Sequence, residues 1–430
     1  MKSQMVIWKR QWQELIETLG GKGAYTRLKI APPAAEGELA EAEFRLGIRL
    51  PEELRTLLRE GAGQAYVYWS LPDEAILPFE VSGELGWAVE QLEFFAYGED
   101  DSDGNQRYLS FHTAGNGDEL LLDLNSPSGT AVVHWAHETA EYLLLAPSFT
   151  EFIDRVTALG CVGAEEWQYP GFCGKTGLDP ELPASRQWSA WLHQYLTLTL
   201  EQAQNDLNSL LLYTEMFGTD QETAEAFAQY NAEVVLRAFV GRASHEQNIS
   251  NREAIICLAG EVLGQQAADF VRSLWSGAPP VAISRSSLAY LSALCLPEGE
   301  GLERVLSMLE TSAQARKLSG YEANSHLKFF HSRSVLRWME DKATYPYDGW
   351  DTLYAHSQPS PSDIIHWLGC GGVQRQIAVS ALPDLLTDKG TEVFSSADLA
   401  QIRRLLEQAL EEAVLKKEKQ AVREALERLG

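Results

Sequence analysis

The chain has 430 residues, 45% of them apolar, with 35 basic against 61 acidic side chains and a net charge of −26. That length calls for two or three packed domains, and the composition supports a packed core rather than a disordered chain. The charge repels phosphate backbones, which sets nucleic acid aside as a partner and suits a basic protein instead.

The first element is a helix in which Trp8, Trp12, Leu15, Ile16 and Leu19 recur at helical spacing and Gly20 closes the run. After Pro32-Pro33 a second helix spans about Glu36 to Leu46 and stops at Gly47. "LPEELRTLLREG" restarts the chain, with Pro51 at the first helical position, Leu54, Leu57 and Leu58 on one face, and Gly61 as the stop. From Gln64 the pattern becomes aromatic and β-branched. "AYVYWSL", "RYLSFHT", "ELLLDL", "AVVHWA" and "YLLLA" read as five strands of an antiparallel sheet, separated by Asp/Gly/Asn and Ser/Pro/Gly turns. "SFTEFIDRVTALG" reads as a helix with a Ser148/Glu151 capping box, an apolar face of Phe149, Phe152, Ile153 and Val156, and Gly160 at its end.

Residues 161–184 are rich in Gly and Pro and lack periodicity, which predicts a linker between a domain over 1–160 and an all-helical domain over 185–430. The expectation is that residues 1–160 fold alone. In the helical half, Ser250/Glu253, Ser360-Pro361 and Ser395/Asp398 read as helix starts. "NREAIICLAGEVLGQQ" and "GGVQRQIAVSALPDLL" share a loose style that resembles HEAT-like helical repeats. The stripe Leu399, Ile402, Leu406, Leu410, Ala413, Val422 and Leu426 predicts one long terminal helix packed by ordinary core contacts.

The charge is unevenly spread. Residues 1–160 hold 12 basic and 26 acidic residues (−14), and residues 161–430 hold 23 and 35 (−12), so the shorter part is the more densely acidic. Acidity alone also serves solubility. Five widely spaced cysteines without a CxxC indicate neither a disulfide framework nor a zinc site, and fit reduced thiols. "MKSQMVIWKRQW" lacks the apolar core of a signal peptide, and no run reaches the roughly 18 apolar residues of a membrane span. A cytoplasmic protein, away from the membrane, is expected.

The stretch "GNGDELLLDLNSPSGTAVVHWAHE", Gly115 to Glu138, gathers acids, histidines and glycines. His134 and His137 are three apart, and in a strand such residues point to opposite faces. The helix and glutamate of HExxH are missing, so a strand-end histidine and a surface one are expected rather than a metal pair. Asp118 follows a turn and reads as a turn aspartate bonded to its own backbone. Asp123 falls on the strand face opposite Leu120, Leu122 and Leu124. In "GEDDSDGNQ", Asp101, Asp103 and Asn105 mimic the start of a calcium loop, but Gln106 and His112 stand where glycine and glutamate are needed. An acidic loop remains, and Glu99, Asp100, Asp101 and Asp103 are the candidate docking acids for a basic partner. Of the aromatic residues Tyr66, Tyr68, Trp69, Trp87, Phe94, Phe95 and Tyr97, most read as core. Trp69 and Tyr97 are the candidate interface anchors. No GxSxG, GxxxxGK[ST] or strand-borne GxGxxG occurs, so neither an enzyme nor a cofactor is expected.

The order of these pieces over about residues 30–160 resembles the SUKH superfamily, named in part for a fungal cell-wall-synthesis regulator. The residues that carry the resemblance are Leu50, Pro51 and Gly61 around the third helix, the Gly117-Asp118 turn before the strand that holds Asp123, Trp135 and Glu138 in "VHWAHE", and Phe149 and Phe152 in "SFTEF". The resemblance implies an α+β fold around a central antiparallel sheet. It implies no enzyme. It also implies that many bacterial members are immunity proteins that bind toxins, often nucleases, while others are regulators or scaffolds. It says nothing of the helical half. Three classes stand: a toxin-neutralising binding protein, an intracellular scaffold or regulator that uses the helical half, and an enzyme with a non-obvious site.

Overall fold

The computed structural model describes residues 2–96, 107–276, 279–315, 318–389 and 393–429. The chain divides into two compact units, Met1–Gly218 and Thr219–Gly430. The first is α+β with antiparallel sheets, and the second is all helical.

Unit one opens with α1 (Lys2–Gly21), β1 (Tyr25–Ile30), α2 (Glu36–Leu46), α3 (Glu52–Glu60), β2 (Gln64–Ser70), β3 (Gly83–Ala88) and β4 (Glu93–Phe94). It continues with β5 (Tyr108–Thr113), β6 (Glu119–Asp123), β7 (Ala131–Trp135), β8 (Tyr142–Ala146) and α4 (Phe149–Ala158). The expected five strands are present, but in two sheets. β2 lies between β1 and β3 in a three-stranded sheet, and β4 to β8 form a five-stranded meander in sequence order. β1 and β3 escape the sequence pattern because "YTRLKI" interleaves two cations and "GELGWA" carries two glycines, both poor strand signals. The α2 helix ends as expected, on Gly47 in the left-handed region (φ 70°). Gly61 ends α3 differently, at φ −107° and buried, where a Cβ would meet Leu57 O at 2.6 Å.

The expected boundary at residue 160 and the linker over 161–184 are not what the structure holds. Cys161, Val162, Ala164, Tyr169, Phe172 and Leu178 are buried in the same core as Trp12, Trp69, Trp87, Phe149 and Phe152. Two short strands, β9 (Cys173–Gly174) and β10 (Gly177–Leu178), pair antiparallel, and β10 packs on β8. The helix α5 (Pro183–Thr197) adds Trp188, Leu192 and Tyr195 to that core, followed by α6 (Leu200–Ala203) and α7 (Leu207–Phe217). The stretch lacks periodicity because it is irregular, yet its apolar residues are core residues. The backbone that leads into it, at the end of α4, is held by specific bonds: Trp69 Nε1 donates to Gly160 O (2.7 Å) and Trp188 Nε1 to Leu159 O (2.9 Å).

Unit two comprises α8 (Gln221–Phe227), α9 (Ala232–His245), α10 (Ile249–Leu263), α11 (Ala268–Leu274), α12 (Arg285–Cys295), α13 (Glu298–Ala315) and α14 (Gly320–Leu327). It ends with α15 (Arg333–Lys342), α16 (Trp350–His356), α17 (Pro361–Cys370), α18 (Gly372–Lys389), α19 (Ser396–Glu412) and α20 (Lys416–Arg428). Alternate helices are neighbours in series: α10 on α12, then α14, α16, α18 and α20. Stacking of this kind buries each helix against the next pair, as in a repeat array. Gly260 allows the α10–α12 approach, since a Cβ there would come within 2.4 Å of Leu291 Cδ2. Ser360 and Ser395 cap their helices as expected. Ser250 does not; Asn248 caps α10 through Ser250 N and Asn251 N, and Glu253 instead accepts from Ser284 and Ser287. The expected single terminal helix is broken at Ala413–Leu415, so that α20 folds back on α19 and buries Val422 and Ala425 in the core that holds Leu406 and Ala409. Among the described residues one stretch, Ile249–Leu274, is long and apolar enough to cross a membrane. A 3-10 turn over Gly264–Ala267 interrupts it.

Candidate functional site

The chemistry-bearing residues of unit one converge on Asp118. The residue stands directly before β6, after Gly117 at φ 95°, and its carboxylate is fully buried. Its Oδ1 accepts from His137 N (2.9 Å) and His137 Nδ1 (2.7 Å); its Oδ2 accepts from Asn116 Nδ2 (2.8 Å) and Glu166 N (2.8 Å). His134 Nε2 stands 3.4 Å from Oδ2, long for a hydrogen bond. Asp118 is therefore more than a turn aspartate. Its own N–H does bond Asn116 Oδ1 (3.0 Å), as a turn residue would, but the carboxylate ties together β6, the end of β7 and the segment after residue 160.

The two histidines correct the alternation argument. Strand β7 ends at Trp135, so His137 lies in the turn beyond it and is free to fold back. Both imidazoles flank one carboxylate instead of facing opposite ways. Burial, opposed by Asp118, pushes His134 below its usual value, whereas the bond from Asp118 pushes the partly exposed His137 above it. Burial disfavours the Asp118 carboxylate, but the four donors outweigh it and hold the group below the usual aspartate range. With its acceptor sites filled, Asp118 has no lone pair left to act as a general base. Among the described residues no group of three or more His, Cys, Asp or Glu is placed to hold a metal ion.

A second cluster lies between the two sheets. Glu84 on β3 meets His112 Nε2 on β5 (3.0 Å) and Tyr66 Oη on β2 (3.4 Å). Burial and the neighbouring Glu84 push the Tyr66 hydroxyl up to about 12. Glu119 accepts from Ser110 and Thr113 on the adjoining strand, and burial pushes its carboxyl up. A third tether, Glu53 on α3, accepts from Thr130 Oγ1 and from Thr150 N (2.9 Å), joining α3 to the start of α4.

The family-like residues hold structural positions. Leu50, Phe149 and Phe152 are core residues, and Pro51 precedes the first turn of α3. Asp123 accepts two hydrogen bonds from Arg107 (3.1 and 2.8 Å) on the outer face of the five-stranded sheet. Trp135 packs on that face against Phe95 (4.7 Å between rings), beside Leu121 and Val133. Glu138 is exposed in the turn. Of the candidate interface residues, Trp69 is corrected outright: it is 0% exposed and stacks on Trp188 at 6.1 Å, so it presents nothing to a partner. Tyr97, Glu99, Asp100, Asp101 and Asp103 lie outside the described residues. The convergence on Asp118 leaves one sequence signal, a Gly-Asp turn paired with histidines just past the next strand, but the partner at Glu166 leaves none.

Comparison with curated proteins and with solved structures gives no match. Residues 33–155 match the SMI1 / KNR4 family (SUKH-1), and no family matches the helical half. The match spans α2 to α4, including β2 to β8, the Asp118 turn and the Glu53 tether, so the chain carries a SUKH-1 domain embedded in the first of its two units.

Proposed function

We propose that the protein is a non-enzymatic binding protein that neutralises a basic toxin domain in the cytoplasm through its N-terminal unit. The observation that carries this reading is the SUKH-1 match over residues 33–155 together with the acidic balance of residues 1–160, 12 basic against 26 acidic. The SMI1 / KNR4 family is not a known enzyme family, and an immunity or regulatory binding role fits it. A nuclease toxin grips phosphate with a basic surface, and an acidic inhibitor complements that surface and speeds encounter. The acids Glu99, Asp100, Asp101 and Asp103 belong to the proposed contact by sequence alone. The second reading, a scaffold or regulator, draws on the stacked helices of unit two, an architecture that offers extended binding surfaces.

The test is to express each reading frame adjacent to the gene and find one that arrests growth of the host. Coexpression of this chain should restore growth, and a chain with the four acids changed to Asn or Gln should associate with the toxin more slowly and with a flatter salt dependence. If a growth-arresting neighbour is found and this chain neither binds nor relieves it, the immunity reading falls and the scaffold reading takes its place.

A further inference from the structure

Two cavities on unit one, each of about 590 Å³, are neighbours and share Arg45, Gln64 and Glu90 in their walls, so that together they make a grooved face. The two differ in chemistry. In one lies the apolar run Pro32, Pro33, Ala34 and Ala35, pinned by Gly63 N to Pro32 O (2.9 Å) and Ala34 N to Leu58 O (2.8 Å). In the other lie Tyr66 and His112, both fixed on Glu84. Gly86 makes that cavity possible, since a Cβ there would stand 2.8 Å from His112 Nδ1. The walls are therefore set before anything binds, which lowers the ordering cost of binding.

The charges along the groove are unbalanced. Glu41, Glu90 and Glu93 are exposed on its walls and have no ion pair among the described residues. Arg45 is committed to the wall itself, where its guanidinium donates to the carbonyls of Leu92 and Val89. Lys29 is the other cation lining the groove. A face with an apolar run in one cavity, an aromatic ring in the other and unpaired carboxylates at Glu41 in the first, Glu93 in the second and Glu90 in both matches lysine and arginine side chains. Those residues lay their stems on apolar surface and carry the charge at the tip. Arginine also stacks on aromatic faces.

We infer that this groove takes an extended basic segment of a protein partner, with lysine or arginine heads at Glu41, Glu90 and Glu93 and stems along Pro32–Ala35. The inference deepens the proposed function and rests on a basic partner, but on residues separate from the acidic stretch 99–103.

The test uses the full chain, a synthetic peptide alternating lysine and alanine, and its glutamate counterpart. The triple substitution Glu41→Gln, Glu90→Gln, Glu93→Gln changes exposed side chains, and circular dichroism checks that the fold is kept. A control with the same change in net charge, Glu201→Gln, Glu222→Gln, Glu233→Gln, alters exposed acids on α6, α8 and α9. The basic peptide should bind wild type and control alike and the groove variant about tenfold more weakly at low salt, as loss of facing charges predicts. Carbodiimide crosslinking should place the peptide lysines on Glu41, Glu90 and Glu93. Equal weakening of groove variant and control, or crosslinks scattered over the acidic surface, would overturn the groove. A toxin that binds wild type and groove variant equally overturns the groove and leaves neutralisation standing. A groove that passes the peptide test in a chain that relieves no toxin stands while neutralisation falls.

Discussion

Glu166 donates its backbone N–H to Asp118 Oδ2 at 2.8 Å, joining the turn before β6 to a segment 48 residues further on and beyond the SUKH-1 match. That bond makes the carboxylate a clamp between the family domain and the rest of unit one. Asp118→Ala leaves the N–H groups of His137 and Glu166 without an acceptor in a buried site. The expected cost is about 3 kcal/mol, with Asp118→Asn milder because its amide oxygen still accepts. Urea unfolding of the full chain, followed by tryptophan fluorescence, measures it. A loss below about 1 kcal/mol for the alanine variant would show that the clamp is dispensable.

The two histidines beside Asp118 should titrate in opposite directions from 6.5. His137 is raised, so its contribution to stability is complete below 6.5 and is lost as pH rises through its folded value. His134 is lowered, so its neutral form is favoured on folding and acid costs stability as pH falls from 6.5 toward its folded value. Asp118 is lowered from 3.8, so its contribution is present above that value and is lost only in stronger acid. Imidazole proton resonances followed across pH should give a higher midpoint for His137 than for His134. The reverse order would refute the assignment of roles around the carboxylate.

Sequence is informative where periodicity and capping set local structure. The run Leu54, Leu57, Leu58 and the Ser148 half of the expected capping box form because their causes lie within one turn of chain, while the Glu151 carboxylate pairs with Arg155 instead of closing the box. It is least informative where the cause is distant. Cys161, Tyr169 and Phe172 look like linker residues because irregular backbone has no period, and only the core formed by Trp69, Phe152 and Trp188 shows why they are apolar. The candidate site divides the same way. The Gly117-Asp118 turn is legible, but the partners of its carboxylate are not, since His137 departs from strand alternation after Trp135 and Glu166 lies 48 residues away. Trp69 passes for an interface anchor because a tryptophan in a strand has the same sequence signature whether it faces solvent or a second tryptophan on α5.

A fragment ending at residue 218 should unfold cooperatively, and one ending at residue 160 should not. The shorter chain lacks Tyr169, Phe172, Leu178, Trp188 and Tyr195, and so uncovers Trp69 and the α4 end of the core. In the full chain Trp188→Ala should cost about 4 kcal/mol, the range for deleting a buried aromatic. Near-ultraviolet dichroism and urea titration of the two fragments decide the boundary. A sharp transition in the 1–160 fragment would put the boundary at residue 160 after all.

In unit two, Asn248→Ala should cost about 1 kcal/mol and Ser250→Ala almost nothing, because Asn248 Oδ1 caps α10 by accepting from Ser250 N (2.9 Å) and Asn251 N (3.2 Å). The helical dichroism of the full chain in urea measures both. Equal effects would return the cap to Ser250.

The docking of β10 on β8 turns on one glycine. Gly177 sits at φ 96°, and a Cβ there would stand 2.1 Å from Leu145 O and 2.8 Å from Ala146 N. Both neighbours are backbone atoms of β8, so no side-chain rotation relieves the contact. Gly177→Ala therefore combines an unfavourable backbone conformation with a clash, and the pair β9–β10 must lift from the sheet. The expected loss is about 3 kcal/mol, whereas Gly171→Ala, with open space around it and no positive φ, should stay within about 0.5 kcal/mol of wild type. Limited proteolysis supplies a second readout, since a lifted β9–β10 pair no longer holds the backbone around the exposed Lys175 against cleavage by trypsin. If Gly177→Ala is as stable and as protease-resistant as Gly171→Ala, the segment after residue 160 is not fastened to the five-stranded sheet, and the boundary of the first unit moves back toward Gly160.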